Sequence, residues 1–197
     1  VTEVQVKLER QPKNLTVMVL GVPEFANIMQ ILSAFQSKMD LTAFEFFDDV
    51  AVDKLLATGH VQKPFETDAP FYALLEFEAP YEPIMDMAMQ IFEDCMSEGW
   101  VLDGVMSQSI HQAQELWKLR EYISETISVF TPYKNDISVL ISRVPEFIAD
   151  IDAIVSQNYP DFQVCWFGHI GDGNLHLNIL KPENLSNCLL YTSPSPR

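Results

Sequence analysis

Trp166-Phe167-Gly168-His169-Ile170-Gly171-Asp172-Gly173-Asn174-Leu175-His176-Leu177-Asn178 is the stretch on which the reading of this chain turns. Two short, alternating apolar runs flank Asp172-Gly173. That dipeptide is a strong signal for a two-residue hairpin, because a type I′ turn needs positive φ at both central positions. A turn centred there pairs Gly171 with Asn174, Ile170 with Leu175, and His169 with His176. Directly opposed residues share a face with Cβ atoms roughly 5 Å apart, so the two imidazoles are candidates to hold one metal ion. Asn178 follows on the same face. Trp166, Ile170, Leu175, Leu177 and Ile179 fall on the other face and read as core. The alternative for the histidines is a hydrogen-bonded structural pair.

Working outward, three strand–helix–strand units are legible. The first is a strand over 15–22, a helix from Pro23 or Glu24 to Met39, with Phe25, Ile28, Ile31, Leu32 and Phe35 at helical spacing, and a strand over 41–47. The second is a strand over 71–77, a helix over 82–97 and a strand over 100–106. The third is a strand over 136–141, a helix over 144–157 and a strand over 162–170, and the motif adds a last strand over 174–180. Val-Pro-Glu-Phe stands at the start of a helix at 22–25 and again at 144–147, where proline suits a first turn and glutamate the helix dipole. Residues 58–70 and 79–83 read as connections, and a long helix over about 107–129 separates units two and three. This rhythm predicts an α+β sandwich of ferredoxin-like units, with a largely antiparallel sheet and helices on one face.

The chain has 197 residues, 48% hydrophobic and 20% charged, enough for a real core in one domain or two small ones. Its formal net charge of −16 argues against a nucleic-acid backbone and an anionic membrane surface as partners. No apolar run approaches the roughly 20 residues of a membrane span. Cys95, Cys165 and Cys188 are widely spaced and give no disulfide framework, which suits a reducing compartment. The amino-terminal Val-Thr-Glu-Val-Gln-Val carries no signal and reads as the middle of a longer protein. Residues 187–197 have neither helix nor strand logic and are expected to be a non-native or disordered tail.

In the long helix, Ala113, Leu116, Trp117, Ile123 and Ile127 form an apolar stripe with Arg120 inside it and Ser124 one turn on. A guanidinium there needs a partner. It either snorkels out, or pairs with Glu121 or Glu125, or holds a ligand carboxylate through its two-pronged fork. Lys134 precedes a strand and is either a solvated edge residue or a point-charge clamp. Glu45 sits in an apolar strand and receives no role. Asp48-Asp49 reads as solvated surface, and His60 and His111 have no partner at ligand spacing.

The motif resembles the Gly-His-x-Gly-Asp-Gly-Asn-x-His-x-Asn signature in the C-terminal domain of FAD-linked oxidases. That family includes D-lactate dehydrogenases, the glycolate oxidase flavoprotein subunit and D-2-hydroxyglutarate dehydrogenases. A second block, Leu116-Trp117-Lys118-Leu119-Arg120-Glu121 followed by Pro132-Tyr133-Lys134-Asn135-Asp136-Ile137-Ser138, is similar to the D-2-hydroxyglutarate branch. The resemblance spans residues 1–186 and implies the same architecture. It implies oxidation of a D-2-hydroxy acid to the 2-oxo acid, with FAD bound mainly by a separate N-terminal domain. His169 and His176 become ligands to a divalent metal, zinc for preference. Arg120, Ser124 and Lys134 hold substrate carboxylates, and Asn178 hydrogen-bonds the substrate. Ser124 stands where the branch has threonine.

The family's third metal ligand and its base come from a later Ala-Glu-His-Gly motif that this sequence lacks. The chain is therefore expected to be an incomplete substrate and metal domain with no useful turnover alone. The expected partners are a 2-hydroxy acid and an electron acceptor such as an electron-transfer flavoprotein or quinone, with a homo-oligomer compatible. The expected location is the cytoplasm or a mitochondrial matrix, with peripheral membrane attachment allowed. Two rival readings stand: a lactate or glycolate oxidoreductase of the same family, and a stand-alone small-molecule-binding module without catalysis.

Overall fold

A computed structural model describes residues 3–5 and 12–182. The expected tail at 187–197 with Cys188, and residues 1, 2 and 6 of the amino-terminal hexapeptide, lie outside the described residues.

Seven strands form one sheet in the order β4-β1-β3-β2-β6-β7-β5, and every adjacent pair is antiparallel. The elements that build its first half are β1 (Leu15–Val22), α1 (Phe25–Gln36), β2 (Leu41–Asp48), α2 (Asp49–Ala57), β3 (Phe71–Glu78), α3 (Glu82–Ser97) and β4 (Asp103–Met106). Their strand order, β4-β1-β3-β2, is that of a ferredoxin-like unit. After α4 (Ile110–Glu121) and α5 (Ile123–Ser128), a second unit runs β5 (Tyr133–Ser138), α6 (Val144–Asn158), β6 (Gln163–His169) and β7 (Asn174–Leu180). β6 joins the two units edge to edge through β2.

The crossover helices α1, α3 and α6 lie on one face of the sheet, as expected. Phe25, Ile28, Ile31, Ile91, Val144 and Ile148 pack there on Met18, Leu20, Phe46, Leu75, Trp166 and Leu177. The other face is covered too, and this corrects the one-face expectation. Ala51, Val52, Leu55, Leu116, Leu119, Ile123 and Ile127 from α2, α4 and α5 pack on Val17, Val19, Phe47, Leu74 and Phe167. A central strand with apolar residues on both sides, as β1 has, requires cover on both.

Four local expectations are revised. Of Asp48-Asp49, Asp49 is exposed as expected, but Asp48 is not solvated surface. Asp48 is 5% exposed, N-caps α2 by accepting the Ala51 N–H at 2.9 Å, and accepts the Trp166 N–H at 2.6 Å, tying β2 to β6. The long helix of 107–129 divides at Tyr122 into α4 and α5. β5 starts at Tyr133 rather than Asp136, because its ladder with β7 begins at Tyr133 opposite Ile179. Of the two Val-Pro-Glu-Phe copies, only Pro145 lies within a first helical turn; α1 begins at Phe25, after Pro23.

Candidate functional site

The hairpin carrying the motif does not form the two-residue turn. Ile170–Asp172 make a 3-10 turn closed by Gly173 at φ 72°. The Asp172 carboxylate accepts the Asn174 N–H at 3.0 Å, a local bond that stabilises this loop. The register consequently places His169 opposite Asn174 and Phe167 opposite His176. The two histidines still share a face and meet diagonally, with ring centroids 5.7 Å apart and planes at 77°.

Each imidazole is held through Nδ1 by a carboxylate. His176 Nδ1 bonds Asp136 Oδ1 at 2.6 Å, across the β5–β7 ladder where the two residues are directly paired. His169 Nδ1 bonds Glu45 Oε1, across the β2–β6 ladder where those two are directly paired. A carboxylate only accepts, so in both rings Nδ1 carries a proton, and in the neutral imidazole Nε2 then presents its lone pair. This is the orientation that carboxylate–histidine–metal arrangements use. The donor set therefore fits two ligands of a metal site. Among the described residues, no group of three or more His, Cys, Asp or Glu side chains is placed to hold a metal ion.

Arg120 reaches the same face from α4. Its Nε donates to Glu45 Oε2 at 2.8 Å, and its guanidinium lies over the Phe167 ring at 4.7 Å. The expected neighbours Glu121 and Glu125 are not its partners; its carboxylate comes from β2. Side-chain exposures of 11% for Arg120 and 6% for Glu45 make this a buried pair. Removing one member of such a pair costs about 3–5 kcal/mol. Among the described residues, the two Nη groups have no protein acceptor, so the forked edge of the guanidinium is not committed to the fold.

Lys134 and Ser124 stand together, with Nζ donating to Oγ at 3.4 Å, and Lys134 has no acidic partner among the described residues. Lys134 is directly paired with Asn178, two ladder positions from Asp136 and His176 and on the same face. Asn178 is 2% exposed, and its amide nitrogen donates to the His176 carbonyl at 3.2 Å. The structure thus brings Arg120, His169 and His176 into one cluster and sets Lys134 and Ser124 beside it. Asn178 lies on the same face with its amide nitrogen committed to its own strand. Glu45, the residue that joins two of these groups, carried no sequence signal, because its partners lie 75 and 124 positions away.

His60 and His111 line a separate cavity of about 430 Å³ between the loop after α2 and the start of α4, together with Gln62, Lys63 and Glu115.

The model of the family described as FAD linked oxidases, C-terminal domain, matches residues 11–187. The chain belongs to that family. Among curated relatives of this FAD-linked oxidase domain, a D-2-hydroxyglutarate dehydrogenase of Stutzerimonas stutzeri is 66% identical over 93% of this chain and 39% of its own length. One of Xanthomonas citri pv. viticola is 50% identical over 94% of this chain and 39% of its own length. The mitochondrial D-2-hydroxyglutarate dehydrogenase of Rattus norvegicus is 30% identical over 91% of this chain and 34% of its own. The chain thus spans about two fifths of the length of the first two relatives. A solved structure of alkyldihydroxyacetonephosphate synthase aligns with a TM-score of 0.56 over 88% of this chain and 36% of that one; at 14% identity this shows the shared fold. No helix among the described residues is long and apolar enough to cross a membrane.

Proposed function

We propose that this chain is the substrate-side domain of a flavin-dependent dehydrogenase that oxidises a D-2-hydroxy acid, D-2-hydroxyglutarate for preference, to the 2-oxo acid. The observation that carries the reading is the pairing of an unpartnered guanidinium fork at Arg120 with two histidines whose Nε2 atoms are both presented by carboxylate-held rings. The relatives named above support the substrate class.

In this reading His169 and His176 supply two ligands to a divalent metal, zinc by the chemistry of neutral imidazoles, with further ligands from outside the described residues. Held there, such a metal would supply Lewis-acid polarisation at the substrate hydroxyl, and FAD would take the two electrons for transfer to a carrier such as an electron-transfer flavoprotein or a quinone. Arg120 binds one substrate carboxylate through paired N–H donors in one plane, and stacking on Phe167 fixes that plane. Lys134, hydrogen-bonded to Ser124, offers a point charge to a second carboxylate, which favours a dicarboxylic acid over lactate or glycolate. Arg120 is already paired with Glu45, so against a formal net charge of −16 the attraction for an anion rests on Lys134 and on a bound metal. Asn178 supports the strand beneath His176 and Lys134.

The test is calorimetric titration of the chain with D-2-hydroxyglutarate and D-lactate, with and without Zn²⁺. A second arm replaces the matching segment of the Stutzerimonas relative by this chain and measures oxidation of each acid. Binding of the dicarboxylic acid, abolished by Arg120→Met, is the expected result. A chain that binds neither acid, joined to a chimera without turnover, overturns the reading.

A further inference from the structure

We infer that Glu45 is a positioning residue shared by both halves of this site, orienting His169 for ligation and Arg120 for carboxylate binding at once. The inference rests on the functional reading just given.

Its two oxygens serve different partners: Oε1 takes the His169 Nδ1–H and Oε2 takes the Arg120 Nε–H. The first contact selects the ring tautomer. With Nδ1–H spent on a carboxylate, the neutral imidazole must present its lone pair at Nε2, the atom left to the cluster. The second contact selects the edge of the guanidinium. With Nε–H spent on Glu45 and the plane set by Phe167, the remaining donors are the paired Nη groups, the edge left without a protein acceptor. β2 puts Glu45 directly opposite His169, while α4 brings Arg120 onto it from above the sheet. The carboxylate is 5% exposed, so water does not substitute for either donor at low cost.

Asp136 supplies the contrast. It holds His176 in the same way, yet its side chain is 83% exposed and the carboxylate bonded to Arg120 is that of Glu45. One carboxylate therefore serves a single ligand, and the other joins ligand to clamp. Removing the charge of Glu45 should disturb metal and carboxylate together, whereas removing that of Asp136 should disturb the metal alone.

The experiment compares the chain with Glu45→Gln and Asp136→Asn by three readouts. These are Zn²⁺ titration, titration with D-2-hydroxyglutarate in the absence of metal, and ¹⁵N spectra of the histidine rings and the Arg120 Nε–H. In Asp136→Asn, Zn²⁺ affinity should fall roughly ten- to a hundredfold, the range typical of outer-shell partners, with hydroxy-acid affinity unchanged. In Glu45→Gln both affinities should fall, His169 should gain the Nε2–H tautomer, and the Arg120 Nε–H should exchange faster with water. A folded Glu45→Gln variant with parental tautomer and both affinities intact overturns the inference. If the parent binds neither probe, the functional reading fails, and the His169 and Arg120 resonances still test the positioning by Glu45 alone. If Glu45→Gln does not fold, the parent's spectra decide: an Nε2–H tautomer at His169 or a rapidly exchanging Arg120 Nε–H refutes it.

Discussion

Alanine at each of the three motif glycines in turn should give two opposite answers. A Cβ on Gly171 meets nothing within 4 Å, and its φ is not positive. Alanine there mainly restricts the unfolded chain, so stability should hold or rise by up to about 1 kcal/mol. Gly173 has φ 72°, and its added Cβ would stand 2.2 Å from the Val139 carbonyl oxygen. The left-handed conformation costs a non-glycine residue about 1–2 kcal/mol. Relieving the contact also loosens the Val139 N–H bond to the Gly173 carbonyl, 3.1 Å long, a loss of about 1 kcal/mol. The expected total for Gly173→Ala is about 2–3 kcal/mol, or a fall in Tm of about 4–12 °C for a chain of this size. A Cβ on Gly168 would stand 2.4 Å from the Asn174 carbonyl oxygen and 3.0 Å from the Leu175 Cα. Both are backbone atoms of the paired strand, so β6 and β7 must splay, at an overpacking cost of about 1–3 kcal/mol. Urea unfolding followed by tryptophan fluorescence measures all three. Loss of as much stability in Gly171→Ala as in Gly173→Ala would refute the reasoning, as would variants at 168 and 173 within about 0.5 kcal/mol of the parent, the ordinary range for neutral surface changes.

Burial raises the Asp48 carboxyl to about 8. The folded protein then holds that proton more tightly than the unfolded chain, so the contribution is full below about pH 4 and is lost as pH rises to about 8, at no more than about 1.4 kcal/mol per pH unit. Relative to Asp48→Asn, the parent should lose stability across that window and level off above it; parallel pH profiles in urea would count against it. Cys95 is pushed up to about 11 and Cys165 well above the ordinary thiol value, both by burial. Neither should be alkylated by iodoacetamide at pH 8 until urea is added, which mass spectrometry reads directly. Arg120→Lys keeps the charge and loses the planar fork, so D-2-hydroxyglutarate should bind roughly tenfold or more weakly, a step of about 1.4 kcal/mol. Unchanged affinity in titration would remove Arg120 from the clamp.

How far the sequence reveals this fold depends on whether a pattern is local. β1, α3 and β7 are legible to the residue, because an eight-residue apolar run, a helix opening on Glu82-Pro83 and the alternation of 174–180 each decide themselves. α2 is not. Its nine residues mix two acids and a lysine with its apolar positions, and its start is hidden in Asp48-Asp49. The available signal was an aspartate followed by Ala51, Val52 and Leu55 at helical spacing. Arg120 and the two histidines could be singled out because each stands in a local pattern, and Ser124 and Lys134 through the resemblance of their segments to the family motifs. Glu45 could not, since nothing in Thr-Ala-Phe-Glu-Phe-Phe says which elements will arrive above it.

The hairpin shows why a wrong register still placed the histidines together. A two-residue turn pairs residues whose numbers sum to 345; the observed loop of Ile170 to Gly173 pairs 169 with 174 and 167 with 176, which sum to 343. The difference is two residues, so every side chain keeps its face, where a slip of one would have turned His176 into the core. The slip converts a direct histidine pair into a diagonal one and changes what lies beneath Arg120. In the tighter turn Phe167 would oppose Asn178. In the structure it opposes His176, with ring centroids 4.9 Å apart, and its face carries the guanidinium. The motif's Asp172 and Gly173 therefore do more than reverse the chain: the loop length they set puts one aromatic ring against both the His176 imidazole and the Arg120 guanidinium.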